Sequence, residues 1–455
     1  MKVLKFGGTS VGSVESLTQV KKIVETIPGN AVIVVSALGG LTDKLIATAK
    51  LAAAGNAVWK PEFESMKQRH LHIINTMVPL TLRDNVISEV CTLFSQLQRI
   101  YEGLYLIKAL PEKILDETVS FGERCSSWIV AAIIKNGIRH DSLKFIKTEK
   151  WYGKNVVEGK ITSHLIAQEF NNLQENEKAI VPGFISSDYK TGEITNLGRG
   201  GSDFTGALIA AALGAETLEI WTDVDGFMTS DPRIVKNARI TPHLTFSESM
   251  ELCSFGAKVI YPPTIFPVFH KNIPIKILNT FNPEAPGTLI TDVSFPDDPP
   301  IKGVTALNDL SLIKIRFLDP LLKESILIRT FKILSENAYK IIPVSNSDSD
   351  DELHFVVNAS DSALSLKMLN TEFAPEIGQG LTENPVAESN VSALALVGNE
   401  MKERYNLLSR VLYSLQRKGI TVKAVGSPTS NTTLLFILDE RQVKDALNLT
   451  HSLLY

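Results

Sequence analysis

MKVLKFGGTSVG at residues 1–12 and AVIVVSALGG at residues 31–40 decide how this chain is read. Each is a short apolar run, rich in β-branched residues, that stops abruptly at glycines and hydroxyls. A helical stretch of about twenty residues separates them, so strand, helix and strand follow one another as in the unit that builds a parallel sheet. Strand-like runs return at 143–146, 179–186, 217–222 and 273–278, with helical segments between them. This alternation predicts an α/β sandwich whose mainly parallel sheet is buried on both faces. Between residues 62 and 108 the period changes. Val86, Val90, Leu93, Leu97, Ile100 and Leu104 recur at steps of four and three, one apolar stripe on a helix, expected to pack within the chain rather than on a coiled-coil partner.

Further along, DVSFPDDPP at 292–300 crowds proline with aspartate, where neither helix nor strand is favoured, and marks a linker. It divides the chain into a first domain over 1–291 and a second region over 301–455. That second region carries a weak internal repeat. LSLIKIRF, ILIRTFKILSENAYKIIPV and ELHFVV read strand, helix, strand, strand, and VSALALVG, YNLLSRVLYSLQRKGITVKAVG and TTLLFIL read the same way. Two βαββ units, over 301–385 and 386–455, are expected to stack their sheets or pair edge to edge. The acidic loop SNSDSDDE at 345–352 is expected to be a solvated hairpin turn rather than a metal site.

The composition is that of a soluble globular protein of two or three domains: 455 residues, 44% hydrophobic and 21% charged. Lys and Arg number 46 against 50 Asp and Glu, a net charge of -4, and no basic block exists to neutralise a run of phosphates, which argues against nucleic acid. Cys91, Cys125 and Cys253 are far apart and form no C-x-x-C pair, so they offer no zinc or disulfide framework and suit a reducing compartment. No apolar segment follows the N-terminal lysines as a secretory signal requires, and no apolar run approaches the ~20 residues that span a bilayer. A cytoplasmic protein without membrane contact is expected.

The chemistry gathers at glycines. A P-loop places its lysine after the glycines, whereas Lys5 precedes Gly7 and Gly8. A strand ending in Gly-Gly-Thr-Ser and feeding a helix presents backbone N–H groups and hydroxyls, with Lys5 reaching over the same spot. It is either a phosphate site or a tight strand-to-helix turn. In TNLGRGGSDFTGALIAAALGA at 195–215, Gly198, Gly200 and Gly201 allow close approach of a ligand, and Arg199 offers a planar fork to a carboxylate or phosphate. Asp203 either serves that site or only complements the helix dipole. WTDVDGFMTSDPR at 221–233 is a ligand loop or an Asx-turn loop, and SFGAKVIYP at 254–262 sets Lys258 near another glycine.

Taken together, KFGGTS at the N-terminus, then FGER, LGRGGSD, TDVDG…DPR and FGAKV in this order resemble the aspartokinases, over nearly the whole chain and most strongly in its first part. The resemblance implies an amino-acid kinase α/β/α sandwich followed by two ACT-like regulatory units. It also implies transfer of the ATP γ-phosphoryl group to the β-carboxylate of L-aspartate, the entry to lysine, threonine, methionine and isoleucine synthesis. Lys5 would position and neutralise the moving phosphoryl, with Asp203 holding Lys5. Glu123 would take the substrate ammonium and Arg199 its α-carboxylate, with Ser36, Thr42 and Ser202 as substrate-side hydroxyls. Gly7, Gly8, Thr9 and Ser10 would cradle the triphosphate, and Thr222, Asp223, Arg233 and Lys258 would complete the ATP contacts. Met228 stands where many relatives carry a tyrosine, and it packs on a purine without offering a phenolic hydrogen bond. No carboxylate cage for a metal is evident, so Mg²⁺ is expected to arrive on the nucleotide.

Alternatives within the same fold are a kinase for glutamate, acetylglutamate, carbamate or UMP, and a silent amino-acid sensor. The final LNLTHSLLY resembles the point where bifunctional aspartokinase/homoserine dehydrogenases pass into their second enzyme, but no G-x-G-x-x-G follows. The ACT-like region is expected to join a homodimer. It is also expected to respond weakly, or not at all, to lysine and threonine, since Ser325 replaces a glycine of the effector-binding relatives and Pro428 interrupts a loop of which Gly426, Ser427 and Asn431 remain.

Overall fold

The computed structural model describes all residues except 152, 338, 340, 346–350 and 427–430, so most of the acidic loop, together with Ser427 and Pro428, lies outside the described residues. The chain divides into two compact units, residues 1–227 with 259–293, and residues 228–258 with 294–455. Residues 228–258, placed by sequence with the first domain, thus cluster with the C-terminal part.

In the first unit, strand Lys2–Phe6 lies between Ala31–Val35 and Thr217–Thr222, parallel to both, with Lys5 opposite Val34 and Ile220. Outward from Ala31–Val35 come Lys178–Pro182 and then Gly137–Arg139, and outward from Thr217–Thr222 comes Ile275–Asn279, all parallel. Thr288–Thr291 follows, antiparallel to Ile275–Asn279. The central strands are buried residue after residue, as a sheet covered on both faces requires. One core joins them to helices Val14–Glu25, Leu41–Ala53, Trp59–Met77, Leu80–Ile107 and Glu112–Ile133. The stripe from Val86 to Leu104 lies in this core, so its partners are in the chain.

Two strand expectations are corrected. Residues 143–146 begin as a 3₁₀ turn, Ser142–Lys144, because the Asp141 side chain accepts the Leu143 N–H, and the strand starts only at Lys147. The run at 179–186 splits at Gly183 and Phe184 into strands of different sheets, Lys178–Pro182 and Ile185–Asp188. Phe184 takes the left-handed φ of 66° that makes this break. Ile185–Asp188 joins a small four-stranded sheet with Lys154–Val157, Lys147–Trp151 and Ile194–Asn196.

The second unit holds a six-stranded antiparallel sheet in the order Ile342–Ser345, Glu352–Asn358, Ile301–Arg316, Val386–Gly398, Thr433–Asp439, Val422–Gly426. The two repeats do pair edge to edge, through Ile301–Arg316 and Val386–Gly398, but they are not separate in sequence. Ile301 and Val304, from the start of the long strand, pack with Leu394, Val411, Phe436 and Ala446 of the second repeat. Ile313 and Ile315, from its end, pack with Ile326, Leu334, Phe355 and Leu369 of the first. The register shifts between Leu307 and Leu310, where Asp309 adopts φ 57°, let one strand serve both cores.

Candidate active site

At the carboxyl ends of the parallel strands, a cavity of about 720 Å³ opens in the first unit. Parallel sheets place ligands there because strand ends and helix N-termini converge on that edge. Eight of the sequence-predicted residues line it: Lys5, Gly8, Ser36, Thr42, Glu123, Arg199, Ser202 and Asp203.

Lys5 is the penultimate residue of its strand, and its Nζ meets Asp203 Oδ1 at 2.6 Å, both side chains being 11% exposed. Asp203 reaches it from the first turn of helix Gly201–Leu213, where a carboxylate is also favoured by the helix dipole. Close packing sets this geometry. A Cβ on Gly201 would lie 2.8 Å from the Phe184 ring, and one on Gly8 would lie 3.1 Å from the Ala37 carbonyl oxygen. Gly8, Gly12 and Gly39 are therefore needed where two loops touch backbone to backbone.

Glu123 is the most unusual group of the cavity. It sits on helix Glu112–Ile133, 4% exposed, and its Oε1 accepts the Ala37 N–H at 3.0 Å. Its Oε2 is buried and has no hydrogen-bond partner among the described residues. Burial pushes its carboxyl up to about 8, against the opposing pull of the Ala37 N–H and of Lys5. A buried acceptor left without a donor is costly unless a ligand supplies one. Arg199 is exposed, lies 5.8 Å from the Tyr261 ring centroid and has no carboxylate partner among the described residues.

The remaining predicted residues fall outside the cavity lining. The Gly7 N–H donates to the Trp221 carbonyl at 3.0 Å, so residues 7–10 and Thr222–Asp223 follow neighbouring strands at the same sheet edge. Thr9 is exposed there, whereas Ser10 is fully buried, its hydroxyl sharing a 2.7 Å hydrogen bond with Thr280. The Ser10 hydroxyl thus ties the loop to the sheet rather than facing solvent. Met228, Arg233 and Lys258 belong to the second unit, where Arg233 is exposed and paired with Asp231 at 2.7 Å and Lys258 is exposed.

Sequence reading missed several residues. Asp116 and Val119 precede Glu123 on the same helix and line the cavity, as do Phe184 and Asn196. Helical spacing from Glu123 was the available signal for the first two. Arg69, outside the lining, donates from its two terminal nitrogens to the carbonyls of Gly12 at 2.7 Å and Gly39 at 2.9 Å, clamping both glycine loops, and nothing local in the sequence announces it. Among the described residues no group of three or more His, Cys, Asp or Glu is placed to hold a metal ion, and no helix is long and apolar enough to cross a membrane.

Residues 1–279 match the amino acid kinase family. Over 468 aligned positions the chain is 30% identical to the bifunctional aspartokinase/homoserine dehydrogenase of Buchnera aphidicola, covering all of this chain and 56% of that protein. It is 30% identical to the chloroplastic aspartokinase 1 of Arabidopsis thaliana over 99% of this chain and 79% of that one. The crystal structure of E. coli aspartokinase III in complex with aspartate and ADP, in its R-state, superimposes with a TM-score of 0.83 at 25% identity over 99% of each chain. The match over residues 1–279, and the likeness to aspartokinases along the full length, establish that this chain belongs to the amino acid kinase family, in its aspartokinase branch.

Proposed function

We propose that the chain transfers the γ-phosphoryl group of MgATP to the β-carboxylate of L-aspartate, giving 4-phospho-L-aspartate and ADP. The observation that carries this is the unpartnered, buried Glu123 Oε2 in a cavity that also presents Arg199. An α-amino acid brings an ammonium for the first and a carboxylate for the second, and the structural neighbour holds aspartate with ADP. With both α-groups engaged, the β-carboxylate is the end left for chemistry. Its oxygen attacks the γ-phosphorus, the bond from that phosphorus to the β,γ-bridging oxygen breaks, and ADP leaves with the electron pair.

No strong base is required, since the attacking carboxylate is ionised at neutral pH. The protein's task is to align the reactants and stabilise charge on the moving phosphoryl. Lys5, held by Asp203, is placed for that task. Ser36, Thr42 and Ser202 supply hydroxyls to the substrate. Gly7, Gly8, Thr9, Thr222, Asp223, Met228, Arg233 and Lys258 are assigned to the nucleotide, whose Mg²⁺ enters as part of the substrate, whereas Ser10, buried against Thr280, supports the loop instead of contacting it. Residues 301–455 are assigned to a homodimer contact, following the likeness to ACT-bearing relatives that pair across a two-fold axis, and the chain to the cytoplasm.

The test is hydroxylamine trapping: with MgATP and L-aspartate the protein should yield aspartyl hydroxamate and stoichiometric ADP. Replacing L-aspartate by L-glutamate should yield neither. Absence of hydroxamate from folded protein, or equal turnover of L-glutamate, overturns the assignment.

A further inference from the structure

We infer that Asp116 is a positioning residue for Arg199, acting through the side-chain amide of Asn196. This rests on the reading of Arg199 as the partner of the substrate α-carboxylate. Arg199 stands between two glycines, Gly198 and Gly200, both with φ 71°, so the backbone that carries it is intrinsically permissive. Something must hold that turn if the guanidinium is to meet a ligand without an ordering penalty. Asn196 does so, because its Oδ1 accepts the Gly198 N–H at 3.0 Å.

An asparagine amide is nearly symmetric in shape, and an oxygen or a nitrogen fits either place unless a partner discriminates between them. Asp116 supplies the discrimination. Its Oδ1 receives the Asn196 Nδ2 at 2.6 Å, and an ionised carboxylate only accepts. The amide nitrogen is thereby turned towards Asp116 and the amide oxygen towards Gly198. Asn155, from strand Lys154–Val157 at the other edge of the small sheet, approaches Asp116 Oδ2 at 3.4 Å and the Asn196 carbonyl at 3.5 Å, backing the pair. Asp116, Asn196, Gly198 and Arg199 all line the cavity. The chain of contacts runs from helix Glu112–Ile133, which also carries Glu123, to the turn that carries Arg199. One helix therefore governs both α-groups of the substrate: the ammonium through Glu123 directly, and the carboxylate through Asp116, Asn196 and Arg199.

The experiment is steady-state kinetics with both substrates varied, on the parent chain and on Asp116→Ala, Asp116→Asn, Asn196→Ala and the Asp116→Ala/Asn196→Ala pair. In Asp116→Ala the KM for L-aspartate should rise about tenfold, with kcat and the KM for ATP within about twofold of the parent. Asn196→Ala should match it, and the pair should be no worse than either single variant, because both changes release the same turn. Asp116→Asn, which keeps one acceptor oxygen, should show a smaller rise of about threefold, and it carries the test if Asp116→Ala does not fold. An unchanged aspartate KM in a folded variant overturns the inference. So does a rise in both KM values together, or multiplication of the two single effects in the pair. Inactivity of the parent chain with L-aspartate would instead overturn the proposed function.

Discussion

A carboxyl such as Glu123, with one oxygen on the Ala37 N–H and the other unpartnered inside the protein, lowers its energy either by keeping its proton or by gaining a cation. Burial holds its pKa near 8, so in the free protein at neutral pH it is mostly protonated. An arriving ammonium favours the ionised form, and binding should release a proton. kcat/KM for L-aspartate is therefore expected to rise with pH through an ionisation near 8, reporting the free enzyme. In Glu123→Gln that limb should vanish and the aspartate KM should increase, and a persisting limb would assign the ionisation to another group. The linkage to stability follows the same sign. The folded pKa lies above the ordinary 4.5, so the folded state binds more protons between the two values and this residue's contribution to stability declines as pH rises through that window. In the proposed reaction Lys5 acts in the transition state instead. Lys5→Ala removes the cation beside buried Asp203 and should lower kcat by about a hundred- to a thousandfold with little change in aspartate KM. A variant changed only in KM would place Lys5 in ground-state binding.

At the scale of elements, the contact that sets the site is helix Glu112–Ile133 against the loop after strand Ala31–Val35. Gly122 makes it possible, since a Cβ there would lie 2.6 Å from the Ala37 Cβ. Gly122→Ala should push helix and loop apart and cost about 1–3 kcal/mol. It should also raise the aspartate KM, because the Ala37 N–H and Glu123 are neighbours of that contact. A variant with unchanged melting temperature and KM would show that the contact is slack. Much of this layer was legible beforehand: apolar runs marked the parallel strands, and the glycine clusters marked the loops that meet at their ends. What stayed hidden was set by partners distant in sequence. Helical spacing puts Asp116 on the face of Glu123, but only Asn155 and Asn196 reveal what it does. Phe184 looks like one more apolar residue of a strand, yet it takes a left-handed backbone, and its N–H is held by the Thr205 hydroxyl at 3.1 Å. Arg69 reads as a helix-surface cation, although the chain wraps two loop carbonyls around it.

For the whole molecule, periodicity identifies strands and helices but not the core each half of a strand enters. The repeats at 301–385 and 386–455 were visible as patterns, while the sharing of strand Ile301–Arg316 between two cores was not, because it depends on a local kink at Asp309. The linker at 292–300 shows the same limit. Its prolines and aspartates do exclude helix and strand, yet the segment is anchored within the second unit. Asp298 Oδ2 accepts from His243 Nδ1 at 2.5 Å, from the Phe295 N–H at 2.8 Å and from Lys302 Nζ at 3.0 Å. Phe295 stacks on the His243 ring at 3.9 Å. Burial pushes the Asp298 carboxyl up, but the Phe295 N–H, His243 and Lys302 together outweigh it and hold the carboxyl below its ordinary range. Lys302 is 1% exposed, so removing its counter-ion strands a buried charge. Asp298→Ala is therefore expected to lose about 3–5 kcal/mol in denaturant unfolding of the second unit. The pH dependence has a defined sign. A depressed carboxylate stabilises the fold above its unfolded pKa and loses that contribution as pH falls through the folded value, so the difference between parent and variant should shrink on acidification. A variant as stable as the parent at neutral pH, or a gap that widens in acid, would mean that residues 292–300 behave as the free linker their composition describes.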